Sequence, residues 1–357
     1  MKVMTPHYYK DFRCIAGACT DTCCAGWDVD VDKDSYKYYK TVKGAFGKRL
    51  KSVMVPSQDG ECTFTLKEGG RCPFLNDDNL CDLYIELGED KLCETCAEFP
   101  RFINDYGNIR EIGIAPSCKT AGELMFSYKD ELTFDTVEDN SLTPEPNDID
   151  AYTYMHLRQA RIVAFGIISD RDISIFERLM LYLDYAKRIQ KHLDAERDEL
   201  IAGVAKRFCG ADYREELLDR LKSRDEKLHG KRLIKGLRHF FDDFKGMEVI
   251  NPDWNIHVAR VRQFLDGLAD DSGLAAVMKT YHAGSEAFAH EYEQLAMYYV
   301  YRYMLDAVND YDVLLKAKNA VIGILAVDIM AAANHASVCT PDFTMRVDIA
   351  HLYSRQF

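Results

Sequence analysis

The spacing of apolar residues changes character about two-fifths of the way along this chain. Beyond Asp150, apolar positions recur at steps of three and four. Phe176, Leu179, Met180, Leu183, Ala186, Ile189 and Leu193 make one run. Phe288, Tyr292, Leu295, Ala296, Tyr299, Tyr303 and Ala307 make a second, and Leu314, Ala317, Val321 and Ile324 a third. Residues with this period line one face of a helix, so the runs predict amphipathic helices packed as a bundle. Further helices are expected near 151–168, 197–208, 212–223, 228–244, 253–267 and 273–281. No repeat of fixed period joins them.

Before Asp150 the pattern is short and broken. Residues 28–32 alternate Asp and Val, as a short strand would. Asp34 is placed to cap a helix from Ser35 to about Leu50. Residues 54–67 alternate around Cys62, and Gly69-Gly70 end the stretch. Residues 72–81 predict two short strands about an Asn/Asp turn. A helical turn at 83–87 is stopped by Gly88, and a short helix at 92–99 is closed by Pro100. A strand is expected at 109–115 and a helix at about 119–128. Residues 131–149 carry Glu131, Asp135, Glu138, Asp139, Glu145 and Asp148 with Pro144 and Pro146, the composition of a linker. The expected fold is therefore mainly α. An irregular Cys-rich domain with short strands covers 1–130, an acidic linker 131–149, and an α-helical bundle domain 150–357.

Charge narrows the function classes. The chain has 357 residues, 45 basic and 58 acidic, for a net charge of -13. A nucleic-acid binder needs basic surface to displace counterions from phosphates, and docking on anionic lipid needs it too. An acidic surface instead attracts basic partners such as lysine-bearing proteins, or simply keeps the chain soluble. The first residues lack the apolar core of a signal peptide. No run approaches the roughly 18 apolar residues of a membrane span. The best attempt, 321–333, is short and carries Asp328. These features place the protein in the cytosol, where thiols stay reduced and close cysteines mean metal more often than disulfide.

Cysteine usage is the strongest chemical signal. Ten of the 12 cysteines lie between Cys14 and Cys118. The pattern opens Cys14-x4-Cys19-x3-Cys23-Cys24, then Gly26-Trp27. Cys62, Cys72-Pro73-Phe74-Leu75, Cys81, Cys93-x2-Cys96, Phe99-Pro100-Arg101 and Cys118 follow. Such spacing lets one short loop give several thiolates to one metal ion or iron–sulfur cluster. Cys23 and Cys24 are adjacent and cannot easily chelate one ion together, so they serve different iron atoms, different sites, or one is structural. Cys209 and Cys339 read as small buried apolar residues.

These motifs resemble the flagellin lysine-N-methylase family, within a wider group of zinc- or iron-chelating domains that carry a paired Cys-Cys. The matching pieces are Tyr8-x3-Phe12-x-Cys14-x4-Cys19-x3-Cys23-Cys24-x-Gly26-Trp27, Cys72-Pro73-Phe74-Leu75-x5-Cys81, Leu87-Gly88-Glu89-x2-Leu92, Cys96-x2-Phe99-Pro100-Arg101 and Cys118. They cover roughly residues 8–120, and the helical half adds only a compatible length and character. The resemblance implies methyl transfer from S-adenosylmethionine to lysine ε-amines of flagellin. It also implies an iron–sulfur cluster on Cys14, Cys19, Cys23, Cys24, Cys72, Cys81, Cys96 and Cys118, with zinc as the alternative. Cys62 and Cys93 look peripheral. Eight thiols suffice for two four-thiolate sites, or for one cluster and a structural pair. A [4Fe–4S] cluster held by three cysteines would leave one iron open to the amino and carboxylate groups of S-adenosylmethionine. The radical loop Cys-x3-Cys-x2-Cys begins at Cys19-x3-Cys23, but Gly26 stands at its third position. No strand-linked Gly-x-Gly-x-Gly supports a Rossmann methyltransferase.

Methyl transfer to lysine needs the neutral amine, rare at pH 7 for a group titrating near 10.4. A site must desolvate the amine or supply a base, and aromatic rings tolerate the cationic product. Tyr8, Tyr9, Trp27, Tyr36, Tyr38 and Tyr39, with Asp28, Asp30 and Asp32, are the expected pocket. The same tyrosines would also cover a small core. Arg101 is a candidate partner for a cofactor carboxylate, and Tyr298, Tyr299, Tyr301 and Tyr303 read as helix packing. Two other functions fit the residues: a non-catalytic metal-binding or redox module whose helices recognise a partner, and an iron–sulfur enzyme of other chemistry.

Overall fold

The chain starts as β1 (Lys2–Pro6), passes the first cysteines in short turns, and reaches β2 (Asp30–Val31). Next come α1 (Lys33–Thr41), α2 (Gly44–Val53), β3 (Met54–Pro56) and β4 (Cys62–Phe64). Two short helices follow, α3 (Asp82–Leu87) and α4 (Glu94–Glu98). The hairpin β5 (Arg101–Tyr106) and β6 (Ile109–Ile114) leads to α5 (Lys119–Ser127) and β7 (Phe134–Glu138). This computed structural model describes residues 1–57, 61–144, 148–226 and 232–357.

Helices fill the remainder: α6 (Ala151–Ile168), α7 (Ile175–Leu193), α8 (Ile201–Phe208), α9 (Ala211–Glu226) and α10 (Arg232–Asp243). Then come α11 (Asp253–Asp266), α12 (Asp271–His282), α13 (Ala289–Tyr303), the single turn α14 (Ala307–Asp310), α15 (Val313–Ser337) and α16 (Phe343–Gln356). The protein is mainly α-helical, as the apolar periodicity indicated. The expected helix at 228–244 starts among residues outside those described, as do Glu145 and Pro146 of the expected linker. No helix among the described residues is long and apolar enough to cross a membrane.

Several local expectations change. Asp32, not Asp34, caps α1, its carboxylate accepting from the Asp34 and Ser35 amides. The single helix expected to Leu50 is two, broken at Val42-Lys43 before Gly44, whose φ is +79°. Residues 72–81 form a turn, not two strands, with one bridge between Leu75 and Cys81. The Asn76 side chain organises that turn by accepting from the Asp78 and Leu80 amides at 3.0 and 2.9 Å. Capping side chains of this kind outcompete strand pairing in a short segment.

The sheets divide the N-terminal part differently from the composition. One sheet has the order β5-β6-β1-β7, with β1 parallel to β6 and antiparallel to β7. The stretch read as linker thus contains β7, an edge strand. Tyr8, Phe12, Phe102 and Ile114 beside this sheet share one core with α6, α7, α13, α15 and α16. A second, smaller core holds Val29, Val31, Tyr39, Leu50, Phe64, Phe74 and Leu83 under the sheet β2-β4-β3. The buried Arg161 of α6 clamps the large sheet to the helices. Its Nη1 donates to Glu111 Oε2 of β6 at 2.7 Å and to the Tyr301 carbonyl at 3.1 Å. Helix α15 is buried without a break from Ala326 to Asn334, as a helix apolar on all sides must be. Asp328 within it accepts from His282 Nε2 and the Tyr292 hydroxyl, both at 2.9 Å.

Candidate functional site

The eight cysteines gather in two groups of four. Cys14 and Cys118 lie near Cys23, and Cys14 also lies near Cys19 and Cys118. Cys118 immediately precedes α5 and packs against the large core. Cys24, Cys72, Cys81 and Cys96 form the other group. The Cys72 amide donates to the Cys24 carbonyl at 2.8 Å. Cys24 and Cys81 pack against the small core, which contains Cys62, Cys72 and Cys93. Cys93 also interacts with Cys96, so it stands closer to the assembly than its sequence position suggested. The groups meet at the Cys23–Cys24 pair, whose thiols interact directly. Cys209 and Cys339 are exposed, not buried, and lie outside both groups.

Electrostatics keep most of these groups as neutral thiols. Burial pushes up Cys19, Cys81 and Cys118, and raises Cys62 to about 11 and Cys72 to about 12. Cys24 is the exception in the central pair. A hydrogen bond from Cys23 holds it at about 7 despite burial, helped by the Thr22 hydroxyl and by Arg71 and Arg355. Cys23 is correspondingly raised, first by Cys24 and then by burial. Metal or cluster binding would supply the charge that removes the remaining thiol protons.

Among the described residues, no three His, Cys, Asp or Glu side chains stand close enough to hold one metal ion. Four thiolates on a single zinc, each at about 2.3 Å, must be drawn tightly together. A cubane cluster takes one thiolate per iron and leaves the sulfurs farther apart. A thiol-only donor set is chemically suited to either group.

Helix α16, from the far end of the sequence, holds the cysteine loops in place. His351 spans two of them, with Nδ1 3.0 Å from the Pro116 carbonyl and Nε2 2.8 Å from Asp21 Oδ2. Arg355 donates to Asp21 and to the Ala25 carbonyl, and to the Thr22 carbonyl at 3.3 Å. Its guanidinium lies 5.1 Å from the centre of the Trp27 ring. Asn251 adds a bond to Asp21 at 2.7 Å, and Lys119 of α5 pairs with Asp348 at 2.6 Å. Burial would raise the Asp21 carboxyl, but His351 and Arg355 overcome it and hold the group far below the usual carboxylate range. Gly26 closes the loop with φ +91°, and a Cβ there would stand 2.5 Å from the Ile250 carbonyl. Only glycine meets both conditions.

Beside these loops lies a cavity of about 400 Å³. Trp27 and Ser117 form its thiol-side wall, and α13, α15 and α16 provide the rest through Tyr298, Tyr299, Arg302, Tyr303, Asn319, Ile322, Tyr353 and Ser354, with Phe357. Tyr299 and Tyr303 stack with ring centres 5.9 Å apart, and Tyr298 meets Tyr299 edge-on at 5.3 Å. Arg302 lies 4.9 Å over Tyr303 and donates to the Tyr298 hydroxyl at 2.6 Å. Gly323 makes room for Tyr299, whose hydroxyl lies 2.5 Å from where a Cβ would stand.

Of the residues expected to form a lysine pocket, Trp27 lines this cavity and the others lie elsewhere. Tyr8 is fully buried in the large core, 5.8 Å from the Tyr128 ring. The Tyr9 hydroxyl accepts from Arg101 Nε at 3.0 Å, and Arg101 also covers Phe12 at 5.6 Å. Asp28 and Asp30 are exposed, and Asp30 accepts from the Thr63 hydroxyl at 3.1 Å. Tyr39 is buried in the small core and donates to the Lys91 carbonyl. The alternation at 28–32 explains this, because it buries the valines and turns the aspartates outward. Asp21, Arg302, His351 and Arg355 were not foreseen. Arg302 within the tyrosine cluster was the sole local signal, and helix packing accounted for the tyrosines equally well.

Fold and site together define a class: a mainly helical protein whose last helix braces a thiol-only loop assembly beside an aromatic cavity. The chain belongs to the FliB lysine N-methylase family. Residues 161–357, more than half of its length, match that family's C-terminal domain. The match lies in the helical half, whereas the resemblance in the cysteine motifs lies in the other. The flagellar biosynthetic protein FliU of Salmonella muenchen is 30% identical over 121 residues, which are 32% of this chain and 72% of that protein. Lysine-N-methylases of Salmonella choleraesuis (strain SC-B67) and Salmonella typhimurium (strain LT2) are each 29% identical over 121 residues. Those stretches are 32% of this chain and 30% of each relative, so less than a third of either enzyme is spanned. No solved structure matches the chain.

Proposed function

We propose that the protein transfers methyl groups from S-adenosylmethionine to lysine side chains of a protein substrate of the flagellin type. The observation that carries this reading is a shared wall. Trp27, three residues after Cys24, and Ser117, next to Cys118, both line the aromatic cavity. A thiol assembly and a cavity fit for a small organic ligand are therefore one site. Names of relatives supply the reaction class: two are lysine-N-methylases and one is a flagellar biosynthetic protein.

Cys14, Cys19, Cys23 and Cys118 would hold one iron–sulfur centre, and Cys24, Cys72, Cys81 and Cys96 a second. Such a centre, when bound, supplies redox capacity or a Lewis-acidic iron. The chain's own residues supply the rest. Helix α16 fixes the loops, and Trp27 and the tyrosines exclude water and keep a lysine amine from gaining a proton. The net charge of -13 draws lysine-rich surfaces toward the protein.

The test is methylation of purified flagellin by protein prepared without oxygen and loaded with iron and sulfide. Labelled S-adenosylmethionine should pass its methyl group to flagellin lysines, located by peptide mass. A protein that binds iron but leaves flagellin and other lysine-bearing substrates unmodified would be a metal-binding or redox module instead.

A further inference from the structure

Four arginines of the core meet the cost of burial with a carboxylate. Arg161 pairs with Glu111, Arg178 with Glu293, Arg346 with Glu291 and Arg355 with Asp21. Arg302 is half-buried on α13 and has no carboxylate partner among the described residues. Its neighbours are rings, with guanidinium distances of 4.9 Å to Tyr303, 5.1 Å to Phe102 and 5.9 Å to Tyr298. Removing a guanidinium from water without an anion is costly, and the other four pairs show how this fold meets that cost. Arg302 lines the aromatic cavity, and among the described residues no aspartate or glutamate does.

We propose that this cavity binds the methyl donor, an adenosyl amino-acid sulfonium, with its carboxylate on Arg302. The assignment rests on the methyltransferase reading above and adds the location and the anchoring group. Three features of the cavity match three parts of such a ligand. The Arg302 fork offers parallel donors to a carboxylate. The rings of Tyr299 and Tyr303 in the cavity wall offer aromatic surface to a planar base. The electron-rich rings, Trp27 among them, tolerate a sulfonium in the absence of any carboxylate. A volume of about 400 Å³ lies within the range of sites for ligands of this size. A lysine ammonium fits less well, because it brings no anion to pair with Arg302. The Trp27 and Ser117 wall places the donor beside the loops that carry the thiols.

The experiment is calorimetric titration of the full-length, iron-loaded protein with S-adenosylmethionine and with its decarboxylated analogue. On wild-type protein the analogue should bind about tenfold to a hundredfold more weakly, the loss expected for one charge-assisted anchor. In Arg302→Met the affinity for S-adenosylmethionine should fall by a similar factor, while that for the analogue stays nearly constant. Arg302→Lys should recover part of the loss, and iron content and helical circular dichroism should match wild type in both variants. Equal binding of S-adenosylmethionine to wild type and to folded Arg302→Met would overturn the assignment. So would loss of flagellin binding with donor binding intact, which would give the cavity to the lysine. No donor binding by wild-type protein under any loading would remove the methyltransferase reading itself. If Arg302→Met fails to fold, Gly323→Ala decides: its Cβ displaces Tyr299, so donor affinity must fall with iron content unchanged, and unchanged affinity counts against the site.

Discussion

Asp21 lies two residues from Cys19 and two from Cys23, in a loop with no periodic pattern. Its partners His351, Arg355 and Asn251 are more than two hundred residues away. No local signal marks such a residue, because its environment is built by chain folded over it from elsewhere. The cysteine spacing could be read, since thiols that share a cluster must come close in a few short loops. Asp21→Ala leaves the buried Arg355 guanidinium uncompensated, which should cost about 3–5 kcal/mol. It should also lower the iron bound per chain; thermal melting and an iron assay read the two effects. Gly26 offers a sharper contrast. Gly26→Ala combines a positive φ with a collision against the Ile250 backbone, for a cost of about 1–3 kcal/mol. Gly107→Ala also has positive φ, +62°, but nothing within reach, so it should cost about 1–2 kcal/mol and leave metal loading intact. Equal metal loading in the two variants would sever the Gly26 loop from the thiol site.

At the scale of elements, the long helices were legible because each buries one stripe over several turns. Helix α16 was missed because Phe343, Met345, Val347 and Ile349 alternate like a strand before Leu352 and Tyr353 restore the helical period. The sheet was legible in part. β6 was expected, but β1 and β7 were not: five residues each, they are made strands by pairing with each other across the whole Cys-rich part. Acidic side chains at 135 and 138 suggested a linker, yet they suit an edge strand equally, since charge there blocks pairing with other chains. Between sheet and helices the Glu111–Arg161 pair is buried on both sides. Glu111→Ala alone should destabilise the protein by about 3–5 kcal/mol, whereas Glu111→Leu with Arg161→Met should be far closer to wild type. Chemical denaturation of the three proteins measures the difference. Additive losses would mean that each residue acts through other contacts.

For the molecule as a whole, the thiols fall into two groups, with the division running through one peptide bond. Cys14→Ser and Cys81→Ser should each remove about half of the bound iron, one centre per group, and Cys23→Ser with Cys24→Ser nearly all of it. Cys209→Ser and Cys339→Ser, exposed and remote, should remove none. A single-group loss that empties both centres would make the assembly one cooperative unit. That these thiols come together was legible from the spacing. The partition was not, because it depends on which core each loop packs against, and both cores draw residues from distant stretches.

The brace on the first cysteine loop is contributed by His351 and Arg355, 330 and 334 residues after Asp21. A ribosome makes the chain in the opposite order of need. Cys14, Cys19, Cys23 and Cys24 emerge well before α16 and must wait until it has been synthesised and can dock. During that interval they are unguarded thiols, open to oxidants and to whatever metal arrives. Bracing of the site is therefore a late event, set by the arrival of α16 and not by the appearance of its thiols.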